Sequence, residues 1–399
     1  MKFLHTSDWH LGKTLEGYPR LNEQEQFLNE LCAIADDTRA DMVIVAGDVY
    51  DSVNPPAAAE KLFYKYIERL ACGGRRPVLV IAGNHDNPDR LTAVSPLAYE
   101  RGVILLGTPL TAAETGDYGH YAISDAGEGF VEIRLNNERA VIAALPYPSE
   151  KRLNEILYKS FDDDMQNSYA EKLSELYRGL SARFKEDTVN VAAGHFYVSG
   201  GETADSERDI SVGGVYAAPA GMFDGGASYI AMGHLHKSQT LGEKVHYSGS
   251  PIQLSKTENT HAKCVLLADV PKGKNAGATV ERVFLRCHKP MEVWRCDGYG
   301  DALDKCLADG QEAWVYLEIA TDRPLSQGEI HKLRLSRKDI VEITPILPVN
   351  AAGQAPELTA ERGVFEEFVR FYESERGVAP GEDLKKLFLT ISEADDEAG

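Results

Sequence analysis

The sequence predicts a layered α/β fold followed by a smaller α+β part, and three observations support this. Up to about residue 285, short apolar runs alternate with segments whose apolar residues recur at helical spacing, which is typical of sheets covered by helices. Between residues 103 and 148 the strands are shorter and separated by Gly and Asp, which indicates a second, more antiparallel sheet. Asp, His and Asn also recur where the apolar runs end.

Helices are predicted between these apolar runs. The first is predicted over residues 21–35 and the second over residues 57–70, directly after two prolines that suit a first helical turn. A third helix, with breaks, is predicted over residues 154–184. The polar, glycine-containing segment 199–214 is expected to form a loop over the strand ends, and residues 272–277 form a predicted hairpin turn.

The pattern changes after Cys287. Five segments then read as strand, helix, strand, helix and strand: 291–294, 302–307, 313–319, 330–335 and 340–346. A Pro/Ala/Gly linker follows over 348–356, and two amphipathic helices come after it. The predicted domains are therefore residues 1–285, 286–347 and 348–399.

The two C-terminal helices carry apolar side chains at helical spacing. These are Val364, Phe365, Phe368, Val369, Phe371 and Tyr372 in the first helix, and Leu384, Leu387, Phe388 and Ile391 in the second. Either both helices pack on their own domain, or they bind a partner protein. The linker and the density of aromatic residues favour a partner.

Charge and composition limit the possible functions. The chain has 399 residues and a formal net charge of −20 at pH 7. Because phosphate contacts need Lys and Arg, a nucleic-acid substrate would depend on metals, on a local basic patch or on a partner protein. No apolar run is long enough to span a bilayer. Met1 and Lys2 lead directly into a predicted strand and the cysteines form no CxxC pair, so we expect a cytoplasmic protein with reduced thiols.

Five short segments at predicted strand ends carry the residues that can do chemistry. They read SDWH from Ser7, GDVYD from Gly47, GNHD from Gly83, GHF from Gly194 and GHLH from Gly233. In open α/β sheets the loops beyond the strand ends meet at one crevice, where ligands bind. Seven oxygen and nitrogen ligands are enough there for two divalent metals, and the absence of thiolates among them favours manganese, iron or zinc.

The spacing of these residues supports a metal site. Asp8 and His10 are two positions apart, as are His234 and His236, so in extended backbone each pair would point to one face. A two-metal site generates hydroxide from water and stabilises both oxygens of a phosphoryl displacement. The alternative is a structural role, because a lone Asp-x-His pair is usually a turn or a helix cap. Five such segments in this order favour the metal site.

The order of the five segments resembles that of the calcineurin-like metallophosphoesterases. More narrowly, HTSDWHLG from His5, VAGDVYD from Val45, AGNHD from Ala82 and YSGSP from Tyr247 resemble the Mre-type nucleases of DNA break repair. The resemblance runs from residue 1 to about 267 and continues more loosely to the end. It implies a four-layer α/β/β/α phosphoesterase sandwich, a capping α+β domain and C-terminal helices that bind a partner.

The resemblance also implies a role for each site residue. It implies two divalent ions, and manganese is the metal that the resemblance indicates. Asp8, His10 and His236 would bind one ion, and Asn84, His195 and His234 would bind the other. Asp48 would bind both ions. His85 would face the scissile phosphate, where it would stabilise the transition state or protonate the leaving oxygen. Asp86 would orient the imidazole of His85.

The implied function is hydrolysis of DNA phosphodiesters by an exonuclease and endonuclease of DNA repair, recombination and replication. The implied partners are DNA, an SbcC-type coiled-coil ATPase bound through the C-terminal helices, and a second copy bound through the helices at 21–35 and 57–70. Asp51 stands where archaeal and eukaryotic relatives commonly have a second catalytic-site histidine, so its role stays open. Two alternatives are a phosphoesterase acting on nucleotides or phosphoproteins, and a non-catalytic binding subunit. The latter is disfavoured because every ligand position is filled.

Overall fold

The computed structural model describes most of the chain. The described residues are 1–149, 169–207, 217–308, 310–347, 372, 380, 381, 384 and 385. Residues 1–347 form one compact unit and residues 348–399 form another. In the second unit Tyr372, Leu384 and Lys385 are helical. The other apolar positions of the predicted C-terminal helices, and the predicted linker before them, lie outside the described residues.

Strands and helices alternate along the first unit. The strands are β1 (Lys2–Thr6), β2 (Thr14–Leu15), β3 (Tyr18–Pro19), β4 (Met42–Ala46), β5 (Val78–Ile81), β6 (Val103–Leu106), β7 (Gly116–Asp117), β8 (Tyr121–Gly127), β9 (Phe130–Leu135), β10 (Glu138–Leu145), β11 (Val189–His195), β12 (Tyr229–Gly233), β13 (Gln239–Leu241), β14 (Val245–Tyr247), β15 (Cys264–Asp269), β16 (Thr279–Phe284), β17 (Met291–Asp297), β18 (Trp314–Ala320) and β19 (Ile340–Ile346). The helices are α1 (Leu21–Asp37), α2 (Ala57–Leu70), α3 (Pro88–Thr92), α4 (Ser95–Ala98), α5 (Tyr169–Ser181), α6 (Gly298–Ala308) and α7 (Gln327–Ser336).

The predicted helices at 21–35 and 57–70 are confirmed as α1 and α2. Of the third predicted helix, the described part is α5, and residues 154–168 lie outside the described residues. The turn predicted at 272–277 is confirmed, because it joins the antiparallel strands β15 and β16.

The first sheet has the order β16-β15-β1-β4-β5-β6. Strands β1, β4, β5 and β6 are parallel to one another. Strands β15 and β16 are added antiparallel at the β1 edge. Every residue of β4 and of β5 is buried. Strands buried on both faces read as continuous apolar runs, and this explains why MVIVA and VLVI lack alternation.

The second sheet has the order β13-β14-β12-β11-β10-β9-β8-β7. The strands β7 to β10 pair antiparallel, as the short strands and turns between residues 103 and 148 predicted. By contrast, β10, β11, β12 and β14 pair parallel. This parallel half brings the ends of β11 and β12 to one edge, where functional loops can meet.

The two sheets and their helices make four layers. One apolar core lies between the sheets and includes Phe3 and Ile44 from the first and Val191 from the second. A second core joins the outer face of the first sheet to α1 and α2, with Phe27 fully buried. A third core joins the second sheet to α5 through Tyr177. Each large apolar side chain buried in these layers stabilises the fold by roughly 1.5–3 kcal/mol. The predicted α/β/β/α sandwich is confirmed.

Residues 291–346 form a three-stranded subdomain with its own core. Its strands β17, β18 and β19 are parallel and are connected by α6 and α7. One face of this sheet packs on the two helices, with Leu317 and Leu333 fully buried. The other face packs against the β2–β3 hairpin, where Trp314 meets Leu15. Ser326 caps the start of α7 through a reciprocal capping box with Glu329, which fixes where that helix begins.

No helix among the described residues combines the length and the apolar composition that a membrane span needs.

Candidate metal centre

The nine predicted site residues lie in loops at the carboxyl ends of parallel strands from both sheets. Asp8 and His10 follow β1, Asp48 follows β4, Asn84, His85 and Asp86 follow β5, His195 ends β11, and His234 and His236 follow β12. A hydrogen bond joins the loops of the two sheets at this place: the backbone N–H of His234 donates to Asp8 Oδ1 at 2.9 Å. The structure therefore brings residues from five distant segments to one place.

The loop backbone is left-handed at several of these residues. Asp8, His10, Asp48 and His234 have φ values of 53°, 45°, 48° and 95°. The expectation that the Asp8/His10 pair and the His234/His236 pair have extended backbone is therefore wrong. The chain must leave each buried strand sharply, and hydrogen bonds between loops hold the turn: His10 N donates to the Asp48 carbonyl at 3.1 Å. Such conformations cost about 1–3 kcal/mol each and persist where the surroundings fix them.

Glycines next to the site residues allow a close approach of the loops. A Cβ at Gly47 would lie 2.2 Å from Nδ1 of His195, and one at Gly83 would lie 2.1 Å from Oδ1 of Asp48. Both distances are far below van der Waals contact. Side chains at these two positions would therefore displace His195 and Asp48 from the centre.

One group of candidate ligands consists of Asp8, His10 and His236. Each offers one ligand atom, and the three atoms lie within 4.8 Å of one another. The Nε2 atoms of His10 and His236 face each other at 3.2 Å. All three side chains are nearly inaccessible to solvent. Two imidazoles and one carboxylate in this arrangement match the donors of a transition-metal site.

A second group consists of Asn84, His195 and His234. The Asn84 Oδ1 atom lies 2.9 Å from Nε2 of His195 and 3.1 Å from Nδ1 of His234. Asp48 lies between the two groups, because its Oδ2 is 3.3 Å from Nε2 of His195 and 3.7 Å from Nε2 of His10. A carboxylate placed in this way can bind both of two adjacent cations.

His85 lies at the edge of the centre. Its Nε2 is 4.0 Å from Asp48 Oδ2, and its side chain is 12% exposed. Nδ1 of His85 donates to the backbone carbonyl of Asp51 at 2.8 Å. Because a carbonyl only accepts, this contact fixes the proton on Nδ1 and directs Nε2 toward the centre.

Asp86 does not have the predicted arrangement. The contact to Nδ1 of His85 is made by the Asp51 carbonyl, whereas the Asp86 carboxylate accepts hydrogen bonds from backbone N–H groups. These donors are Val49 at 3.1 Å, Tyr50 at 2.9 Å and Gly83 at 2.9 Å. The Asp86 side chain therefore joins the loop after β4 to the loop after β5. The Asp51 carbonyl orients the imidazole of His85 instead.

Sequence reasoning missed the groups that orient the imidazoles of the candidate ligands. Oδ1 of Asp51 lies 3.1 Å from Nδ1 of His10, which donates to it. Ser206 Oγ lies 2.5 Å from Nδ1 of His236 and donates in turn to the buried Glu258. Such partners fix the tautomer and the ring orientation of metal-binding histidines. No local pattern marks Ser206 or Glu258, whereas Asp51 stands inside the GDVYD segment and could have been found.

The charges of the centre are strongly coupled. Burial raises the pKa of Asp48, but the charge of His195 and the hydrogen bond to it, together with His10, outweigh burial and hold this pKa well below its usual range. Burial lowers the pKa of His195, yet Asp48 more than compensates and raises it to about 9. For His234, burial and the neighbouring His195 lower the pKa to about 3. The carboxylates thus favour positive charge among the imidazoles, and a divalent cation would supply that charge in place of protons.

The donor set fits divalent transition metals. It contains carboxylate, imidazole and amide donors, and these suit manganese, iron or zinc. His195 shows the expected support, because its Nδ1 donates to the Ala46 carbonyl at 2.8 Å and leaves Nε2 to face Asp48. The site and the four-layer fold together define a metallophosphoesterase.

Comparison with known proteins agrees with this class and narrows it. Residues 1–238 match the family model of the calcineurin-like phosphoesterases. The chain is 40% identical over 404 residues to the SbcD component of the SbcCD nuclease from Bacillus subtilis, covering 100% of this chain and 99% of that protein. It is 31% identical over 345 residues to the corresponding component from Rhodobacter capsulatus, covering 82% of each. The chain belongs to the calcineurin-like phosphoesterases, and within them to the metal-dependent SbcD nuclease subunits.

Among solved structures, a dimetal phosphatase from Danio rerio aligns with 70% of this chain and 98% of its own length. The sequence identity is 11% and the TM-score is 0.37.

Proposed function

We propose that the chain is a manganese-dependent DNA exonuclease and endonuclease with two metal positions that share Asp48. The ligands of the first position are Asp8, His10 and His236, those of the second are Asn84, His195 and His234, and Asp48 belongs to both. The observation that carries this proposal is the placement of Asp48 Oδ2 between His195 and His10, at 3.3 and 3.7 Å from their Nε2 atoms. Two ions held there would act as Lewis acids and lower the pKa of a water that attacks phosphorus.

His85 has the geometry of the acid in this proposal. The Asp51 carbonyl holds its Nδ1–H at 2.8 Å, so a second proton must sit on Nε2. This Nε2 lies 4.0 Å from Asp48 Oδ2, beside the proposed metal positions. A charged imidazole at the edge of the centre can stabilise the developing negative charge on phosphate or protonate the leaving oxygen. Asp86 acts indirectly, since it holds the two loops that carry Asp48 and His85.

The proposed substrate is DNA, and the proposed partner is an SbcC-type coiled-coil ATPase in a cytoplasmic DNA-repair complex. Support comes from the relatives, which are named as subunits of the SbcCD nuclease. The net charge of −20 agrees with a nuclease subunit that relies on a partner for much of the basic surface that DNA needs. We also propose a homodimer through α1 and α2, which both cover the outer face of the first sheet.

A paired hydrolysis assay tests this function. The purified chain, with and without the partner ATPase, is incubated with manganese and either hairpin DNA or p-nitrophenyl phosphate. We expect cleavage of the hairpin that increases with the ATPase and disappears with a chelator, and weak hydrolysis of the small ester. Efficient hydrolysis of the small ester without cleavage of DNA would support a phosphatase acting on small phosphoesters instead.

His85→Ala is the matched control for this assay. It removes the proposed acid but none of the proposed ligands. Cleavage that survives this substitution unchanged would contradict the role proposed for His85.

A further inference from the structure

Two segments of the phosphoesterase sandwich touch the three-stranded subdomain, and each also leads to one ligand residue of the first metal position. The segments are the first turn of α1 and the short turn Lys256–Glu258. The first reaches the loop of His10 and the second reaches the ring of His236.

The first connection runs through two consecutive residues of α1. Nε1 of Trp314, in β18, donates to Oε1 of Glu23 at 2.7 Å. The next residue, Gln24, donates through Nε2 to the His10 carbonyl at 2.8 Å and accepts from the backbone N–H of Gly12 at 3.0 Å. Glu23 and Gln24 are buried. The first turn of α1 therefore connects the subdomain to the backbone of a candidate ligand.

A buried ion pair makes this contact specific. Arg20 donates to both carboxylate oxygens of Glu23, at 3.1 and 2.7 Å, and also to the Gln253 carbonyl at 2.5 Å. The side chain of Gln253 in turn accepts from the N–H of Met291, at the start of β17, at 2.9 Å. The buried pair and Gln253 therefore connect the first turn of α1 to the start of β17.

The second connection runs through the Lys256–Glu258 turn. Lys256 Nζ donates to Oε1 of Glu318, in β18, at 2.9 Å. Two residues later, Glu258 accepts from Ser206, whose Oγ is 2.5 Å from Nδ1 of His236. The subdomain therefore contacts the turn that orients the second imidazole of the same metal position.

The second metal position has a different kind of support. Nδ1 of His195 donates to the Ala46 carbonyl at 2.8 Å, and its Nε2 meets Asn84. The backbone N–H of His234 donates to Asp8, a ligand of the first position that follows β1 of the sandwich. All these partners belong to the sandwich itself.

We propose that docking of the three-stranded subdomain sets the geometry of the first metal position, so that loosening this docking weakens metal binding there and leaves the second position unchanged. Trp314, Glu23, Gln24, Lys256 and Glu258 are positioning residues in this arrangement, because they act through His10 and His236. The proposal rests on the two-metal function proposed above. It adds that the affinity of one metal position depends on another part of the chain.

Manganese titration of variants that retain one position tests this coupling. His234→Ala leaves the first position and His236→Ala leaves the second. Into each full-length background we introduce Trp314→Phe, which replaces the indole by a smaller ring without the N–H that Glu23 accepts, or Lys256→Met, which keeps a stem of similar length without the ammonium group. Trp294→Phe is the matched control, since its Nε1 donates to Glu292 within its own strand.

We expect Trp314→Phe and Lys256→Met each to weaken manganese binding about three- to fivefold in the His234→Ala background, less than the roughly tenfold or greater loss for groups that contact a metal ligand directly. In the His236→Ala background the dissociation constant should change less than about twofold, and Trp294→Phe should have no effect in either. An equal change in both backgrounds, or none in either, overturns the coupling while leaving the two-metal site intact. Failure of the unmodified chain to bind two ions would overturn the proposed function as well.

Discussion

The Nε2 atoms of His10 and His236 lie 3.2 Å apart, although the two residues are 226 positions apart in the chain. Each ring is held by a hydrogen bond at its Nδ1 atom, His10 by Asp51 and His236 by Ser206. Since Nδ1 of His10 donates to a carboxylate, the neutral ring has its lone pair on Nε2, which faces the other imidazole. A cation bound by both rings would remove the repulsion between facing lone pairs, and histidines oriented in this way suit a metal site.

The substitution His85→Ala should leave metal binding intact and reduce phosphodiester cleavage by roughly 10²–10⁴-fold, as expected for loss of one acid or one charge-stabilising group. The physical reason is that Nδ1 of His85 is held by the Asp51 carbonyl and its Nε2 lies 4.0 Å from Asp48. Calorimetric manganese titration together with cleavage rates checks this. If the variant loses one ion, His85 is a ligand.

The substitution Asp86→Ala should destabilise the fold as well as reduce cleavage. It would leave the backbone N–H groups of Val49, Tyr50 and Gly83 without their acceptor. A buried donor that loses its partner costs about 1–3 kcal/mol. Urea unfolding of Asp86→Ala and His85→Ala checks this, and only the first should lose several kcal/mol. Equal stabilities of the two variants would show that the carboxylate does not hold the loops.

Two buried histidines outside the metal centre should make stability fall in acid. Burial and the neighbouring His246 lower the pKa of His5 to about 3, and burial and Arg282 lower the pKa of His246 to about 4. Both rings contact Tyr229: Nδ1 of His5 lies 2.8 Å from its hydroxyl, and His246 stacks on its ring. Since the unfolded chain binds these protons near pH 6.5, the contribution is complete above that pH. It is lost as the pH falls from about 6.5 toward 4, by up to roughly 1.4 kcal/mol per pH unit for each group.

The substitution His246→Phe isolates one of these groups. Phenylalanine keeps an aromatic ring against Tyr229 and cannot be protonated. The variant should therefore lose less stability than the original chain between pH 7 and pH 4.5, measured by urea unfolding. His331→Phe, at an exposed position of α7, is the control and should lose as much as the original chain. Identical losses in all three proteins would rule out His246 as the source.

Removal of the chain after residue 351 should leave folding and manganese binding unchanged but abolish co-purification with the SbcC-type ATPase. Residues 1–347 form their own compact unit, and this supports the first half of the expectation. If the removed residues belonged to the core, each lost apolar side chain would cost roughly 2–5 kcal/mol and the truncated chain would unfold. A truncated chain that still forms the complex would place the docking surface elsewhere.

Local patterns are enough to predict much of the fold. The spacing of Phe27 and Leu31 predicts α1, whose apolar face is buried against the first sheet. The apolar runs that end at Gly47 and Gly83 predict β4 and β5, because strands buried on both faces need no polar alternation. These elements depend on residues that are close together in the chain, so one sequence is enough to predict them.

Contacts between distant residues cannot be predicted from local patterns. The left-handed backbone of Asp8 depends on its hydrogen bond to Gly47, and the orientation of His236 depends on Glu258 through Ser206. Sequence order pairs Asp86 with its neighbour His85, whereas two of its three donors, Val49 and Tyr50, come from the loop after β4. In each case the order of the strands in the sheets determines which residue becomes the hydrogen-bond partner.

The central claim is that Asp48 bridges two metals, and a crystal soaked in manganese tests it most directly. Anomalous scattering locates manganese independently of the protein atoms. We expect two peaks about 3.5–4 Å apart, the separation typical of two-metal sites, with one carboxylate oxygen of Asp48 bound to each or shared by both. A single peak, or two peaks with Asp48 outside the coordination sphere of either ion, would contradict the claim.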